Sequence, residues 1–362
     1  MSSPQQEIAL HDNRIPSFAA AELDRLYGSR YASLSHFRIY DKLENASTYV
    51  CYTDGIPTVI LLFKIEKNTL RVLNESIHLC ATEIACFTTF IFRRYRFVRV
   101  ITFQAVDTQH EQLPQPATVI FHGSDMSMYA PASAAAYLKS LDGKTRQNIV
   151  RCTRNIKRAF PTFAHQVLER EAASEETIRA ILAFSKARLH AKGEVSADDE
   201  QEIRRIVRTT QECGLVGIVT IEGRICGGQV IYRFGDNFSY RVTGHDPLYD
   251  PYSLGFLGCY LATCACIERQ ARILYMGWGT LDYKFRLGGA QRDLHDLMIF
   301  RSQVSVALHL TLLLKASRDH LVRRARQAVR AAAAMREPAP SIAKALVASV
   351  RLVRQIRQSV AH

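Results

Sequence analysis

The sequence predicts an α/β protein, with α and β elements mixed along one chain and one unit used twice. The first observation is an order of elements. Residues 48–103 read as strand TYVCYT, the turn Asp54-Gly55, strand TVILLFKIE, the turn Lys67-Asn68 and strand TLRVLNE. An apolar helix at 79–93 and a strand FVRVITF follow. The second observation is recurrence. LVGIVTIE, the Gly223-Arg224 turn, CGGQVIYRF, the turn Gly235-Asp236-Asn237, FSYRVTG, a helix at 255–269 and RILYMG give the same β-β-β-α-β order over 215–277. The two copies share the pattern and not the letters. The third is bulk: 362 residues with 48% hydrophobic content suffice for two domains or one fused double domain and exclude a disordered chain.

Each element has a local reason. The strands are runs of Val, Ile, Leu, Phe and Tyr that stop at Asp-Gly, Lys-Asn or Gly-rich pairs, where the backbone turns back most readily. The second-copy helix, SLGFLGCYLATCACIE, is apolar on every face and so reads as buried. Its Cys264 and Cys266 are small thiols of a packed face, and the nine cysteines show no spacing that suggests a disulfide framework or a zinc site, which fits a reducing compartment. Between the copies lies YLKSLDGKTRQNIVRCTRNIKRAF, residues 137–160. Leu138, Leu141, Ile149, Cys152, Ile156 and Phe160 fall at helical spacing, and Lys144, Arg146, Arg151, Arg154, Lys157 and Arg158 fill the other faces. This predicts a basic amphipathic helix or helix pair, either a solvated face over a core stripe or a surface for an anionic substrate or RNA.

A net charge of +13 and a pI near 9.4 point to an anionic partner: nucleic acid, a phosphorylated cofactor or a membrane surface. MSSPQQEIALHDNR lacks the pattern of a signal peptide, and no run approaches the length of a spanning helix, so a cytoplasmic protein is expected.

The two copies differ where the chain enters the helix. The second has GHDPLYDPYSLGFLG, with Ser253 and Gly255 at the helix start, and the first has SIHLCATEI, without glycine. A helix start offers unpaired N–H groups and the positive end of the dipole to a pyrophosphate, although Ser-x-Gly there is also an ordinary cap. In order and motif, the basic LDGKTRQNIVRCTRNIKR, GHDPLYDPYSLG and GWGTLDYKFRLG resemble the GNAT acyltransferase superfamily. More narrowly, they resemble the GNAT-type proteins of cellulose and exopolysaccharide biosynthesis, which are related to the FemAB aminoacyltransferases. The resemblance covers about residues 135–300.

What the resemblance implies is a tandem GNAT-like fold, a mixed central sheet flanked by helices. Residues 1–130 would form a degenerate first half, 131–300 the half carrying the site, and 301–362 a basic amphipathic helical tail. Acyl transfer from acetyl-CoA or another acyl-CoA, by direct attack and without a metal, would use the thioester between FSYRVTGH and RILYMGWG. Val242 and Gly244 would present backbone N–H groups to its carbonyl, and Tyr252, Ser253, Leu254, Gly255 and Phe256 would surround the phosphates. The family's loop carries Arg or Gln where Tyr252 stands. His245 or, as a second candidate, Asp282 would act as base. Tyr283 would be the acid and Lys284 a fixed charge for a phosphate or an acidic substrate, while Glu268 is expected on the helix surface.

The acceptor implied is an amine or hydroxyl of a small molecule or glycan precursor. The alternative is aminoacyl-tRNA as donor, or a binding scaffold without catalysis. From Lys315 to Arg357 eleven Lys or Arg face two acids, Asp319 and Glu337, so residues 315–358 are expected to lie against an anionic membrane or to pack on the domain. Sedimentation with anionic vesicles, before and after deletion of 315–362, separates these.

Overall fold

In the computed structural model, the residues described are 6–108, 113–191, 193, 196, 198–311, 313 and 318. The first half runs β1 (Gln6–His11), α1 (Ala19–Leu26), α2 (Leu34–Ile39), β2 (Ser47–Thr53), β3 (Ile56–Glu66), β4 (Thr69–Val72), α3 (Ala81–Arg94), β5 (Val100–Val106) and β6 (Ala117–Tyr129). Then come α4 (Ala134–Ser140), α5 (Gly143–Ala159), β7 (Ala164–Glu169), α6 (Glu175–Ala191), α7 (Glu200–Cys213), β8 (Gly214–Ile221), β9 (Arg224–Phe234) and β10 (Asn237–His245). The second half closes with α8 (Leu254–Glu268), β11 (Ile273–Trp278), α9 (Asp282–Arg286) and β12 (Ala290–Phe300), and α10 (Gln303–Leu308) follows.

The twelve strands of the described residues form one mixed sheet in the order β1-β2-β3-β4-β5-β12-β6-β11-β10-β9-β8-β7. Near its centre the two halves exchange strands. β6, which precedes the second half in sequence, pairs antiparallel with β11, and β12 lies between β5 and β6. This exchange joins the expected halves, and Met1–Ile299 is one compact unit, with Phe300–His362 a second. In the second unit Ser302 caps α10 through its Oγ, which accepts from the Ser305 N–H at 3.3 Å. The tail at 315–358 lies outside the described residues except for Arg318.

Helices cover both faces of the sheet, which is why β3 is continuously apolar. Leu61 and Phe63 pack with Phe87, Ile84 and Ile91 of α3, while Ile60 and Leu62 pack on the other face with Leu23 of α1 and Phe37 of α2. Full burial of each such side chain contributes about 1.5–3 kcal/mol. The second half repeats the arrangement: Leu215 and Ile231 meet Cys259, Ala262 and Cys266 of α8, and Val216, Val230 and Tyr232 meet Ile178, Ile181 and Ile206 of α6 and α7. The basic segment is a helix pair, broken at Asp142, whose Oδ1 accepts from the Thr145 N–H at 3.0 Å. Ile149, Cys152 and Ile156 of α5 are buried and its Lys144, Arg151 and Lys157 are exposed.

Candidate active site

β10 and β11 run parallel for only three residue pairs, Asn237–Ser239 against Ile273–Tyr275. Beyond them each strand follows its other neighbour, with bulges at Tyr240/Val242 and Tyr275/Gly277. A bulge turns a strand away from its partner, and together these two open the sheet at Tyr240 and Gly277. Val242–His245 pair with Gly227–Val230 on one side only, so alternate backbone groups face the opening. Gly277 has φ +78° and lies against Tyr240, whose carbonyl oxygen would be 3.6 Å from a Cβ at that position.

α8 starts at the mouth of this opening. Its N-cap, Ser253, is left-handed (φ 57°) and makes no side-chain cap, and no acidic residue occupies the first turn. The first-turn N–H groups are therefore free of a competing carboxylate. Leu254 is buried, and Tyr252 packs edge-on to Phe160 at 5.2 Å, so the aromatic residue at the loop's leading position anchors the end of α5. Phe256 lies under the Arg286 guanidinium at 4.5 Å.

His245 does not project freely. Its Nε2 is 2.6 Å from Asp250 Oδ1, and its ring fills the space above Gly255, where a Cβ would come within 2.6 Å of it. Glycine is needed there to admit the imidazole, whether or not a phosphate binds. Val242 is buried against α6 and α7, and Gly244 lets the α6 backbone at Ile181 approach closer than any Cβ would permit.

Tyr283 and Lys284 take different roles although they are neighbours. Tyr283 packs into the α8 cluster, and burial raises the pKa of its phenol, which keeps the proton a general acid must donate. Lys284 departs from the expected contact with a phosphate or acidic substrate. It is 3% exposed, and its Nζ donates to the carbonyls of Gly277, Trp278 and Gly279 at 2.9, 2.8 and 3.0 Å. Burial lowers its pKa to about 8. Lys284 thus clamps the far lip of the opening, and its three donors are already engaged. Asp282 is 86% exposed and lies 3.9 Å from Arg286.

On the face of the sheet that carries α2 and α7, a cavity of about 350 Å³ reaches the opening. Its lining includes Arg30, Tyr31, Asp125, Arg241, Tyr275 and Trp278, together with Tyr240, Gly277 and Arg292. Arg292 binds Asp125 through Nε and Nη2 at 3.1 and 2.7 Å. Arg241 meets Asp198 at 2.6 Å and Glu202 at 3.0 Å, and Trp278 Nε1 donates to the Tyr31 hydroxyl at 3.3 Å. Arg30 Nε, Arg241 Nε and Ser76 Oγ are buried without a hydrogen-bond partner. Neither His245 nor Asp282 lines this cavity. The cavity's polar and aromatic side chains come from segments far apart in the chain, so no single motif declares them. Trp278, the only tryptophan, was the one visible signal.

The family described as "Acetyltransferase (GNAT) domain" matches residues 143–285, a span that includes α5, both lips of the opening and α8. The matched span is thus a GNAT-type acyltransferase domain, which makes the protein a transferase. No curated protein matches the chain. FemX has a similar structure, with a TM-score of 0.60 at 10% identity, covering 83% of this chain and 99% of that one. A conserved protein of unknown function from Bacteroides thetaiotaomicron VPI-5482 gives 0.53 at 12% identity, covering 82% and 100%. At these identities the likeness is one of fold, and it extends over both halves. Among the described residues, no helix is long and apolar enough to cross a membrane.

Proposed function

We infer that the second half transfers an acyl group from acyl-CoA, most simply acetyl-CoA, directly to an amine or hydroxyl held in the cavity. The observation that carries this is the opening between β10 and β11, with the uncapped start of α8 at its mouth and a polar cavity on the opposite face. The thioester would lie in the opening, with backbone N–H groups of β10 toward its carbonyl oxygen. Attack by the amine or hydroxyl would form the new acyl bond and break the C–S bond. Tyr283, half-buried beside α8, would give its proton to the departing thiolate and recover one from the acylated nucleophile.

The cavity favours an acceptor without net negative charge. Its arginines Arg30, Arg241 and Arg292 are already met by Asp107, Asp125, Asp198 and Glu202 at 2.6–3.9 Å. Arg30 Nε, Arg241 Nε and the Ser76 hydroxyl are unpartnered in its wall, behind the rings of Tyr31, Tyr275 and Trp278. Such a lining suits a polyhydroxylated or amine-bearing ring, a glycan-type acceptor. Thiol release from acetyl-CoA, measured with glucosamine and related amino sugars, tests the reading. Release that depends on the acceptor is expected; acetyl-CoA that neither binds nor turns over would overturn it.

A further inference from the structure

The loop before α8 lacks the leading cation that the family's motif carries, yet cations stand next to α8 in space. Lys144 and Arg151 of α5 and Arg286 of α9 border one recess of about 470 Å³. Gln147 and Asn148 complete its α5 wall. Arg286 is held on the Phe256 ring, in the first turn of α8, so the recess begins where the uncapped helix start ends. Two carboxylates lie near, Asp142 and Asp282. Asp142 already accepts from Thr145 of its own helix, and Asp282 is solvated, 3.9 Å from Arg286. The start of α5 is therefore capped by its own side chain. Arg151 donates to Asn148 Oδ1 at 2.7 Å, a neutral partner, so the uncompensated charge on the recess wall is that of Lys144 and Arg151.

Resting on the acyl-CoA reading, we propose that this recess binds the 3′-phosphate of the donor's adenosine while the start of α8 faces the pyrophosphate. Lys144 and Arg151 replace the cation missing from the loop, and the Arg286 fork joins the two phosphate sites. The basic face of α5 is thereby a ligand surface and not only a solvated one.

The test is calorimetric titration of the full chain with CoA and with 3′-dephospho-CoA, in the parent protein and in Lys144→Glu and Arg151→Glu variants. Both substituted side chains are exposed, so neither change empties a packed site. The parent should bind CoA at least about tenfold more tightly than dephospho-CoA, and each variant should erase that preference while binding dephospho-CoA as the parent does. CoA binding unchanged by either substitution overturns the inference and leaves the acyl-CoA reading standing. Equal weakening of both ligands also overturns it, since that is general charge attraction. A parent that binds neither ligand removes the donor reading itself. Variants that lose transfer RNA while binding CoA normally would assign the α5 face to RNA instead.

Discussion

The two halves carry the same opening, and only one leaves it empty. β4 and β5 pair in parallel over three residues, Thr69–Arg71 with Val100–Thr102, as β10 and β11 do. Past that point the first half zips itself shut. Ser76 N–H donates to the Ala105 carbonyl at 2.8 Å, Asp107 N–H to Ile77 at 2.9 Å and Leu79 N–H to Asp107 at 3.1 Å. Ala105 accepts a left-handed φ of 53°, and its N–H donates to Asp296 Oδ1 at 3.0 Å. The chain itself occupies the place where a thioester would lie. The following helix is closed as well: Cys80 N–H donates to Glu83 Oε2 at 2.8 Å, which puts a carboxylate in the first turn of α3. In the second half no carboxylate occupies the first turn of α8, and Lys284 holds the lip open by its carbonyls. Two frames of one pattern thus stand in the chain, and one of them is filled by its own backbone.

If the second half alone carries chemistry, Tyr283→Phe should lower kcat by about 10²–10⁴-fold, the usual range for loss of a general acid. Turnover equal to the parent's in a thiol-release assay would remove Tyr283 from the mechanism. Lys284→Met should destabilise the protein by roughly 3 kcal/mol, because it leaves three carbonyls around a buried site without their donor. Denaturant unfolding measures this, and an unchanged midpoint would show that water replaces the ammonium. Phe256→Glu gives α8 the N3 carboxylate that α3 has in Glu83, and should weaken acetyl-CoA binding by about 10–100-fold through repulsion at the helix start. The reciprocal change is small: Glu83→Gln should cost about 1 kcal/mol of stability and leave acetyl-CoA affinity unchanged. An affinity that rose in Glu83→Gln would mean the first half also binds.

These comparisons rest on elements that differ in how readily the chain declares them. The helix expected at 255–269 is Leu254–Glu268, and that expected at 79–93 is Ala81–Arg94, because apolar runs bounded by turn residues report on local structure. The exchange of β6 and β12 was not legible. AQRDLHDLMIF shows no strict alternation that would mark it as a strand, and nothing in a strand names its partner. Lys284 misled for a physical reason: beside a glycine-rich strand end it reads as a charge offered to a phosphate or an acidic substrate, and only the fold shows three carbonyls converging on the ammonium. Gly255 is a milder case. The sequence marks a position that needs glycine, and the structure supplies a neighbour, the His245 ring, that requires it without reference to a ligand. A Gly255 substitution would therefore mix steric and electrostatic effects, which Phe256→Glu and the α5 variants separate better.

The most direct test of a single donor site, in the second half, is the stoichiometry of acetyl-CoA binding, measured by calorimetric titration of the parent and Phe256→Glu proteins. One equivalent per chain, strongly weakened in Phe256→Glu, is the predicted result. Two equivalents, or one that survives the substitution at full affinity, would contradict it.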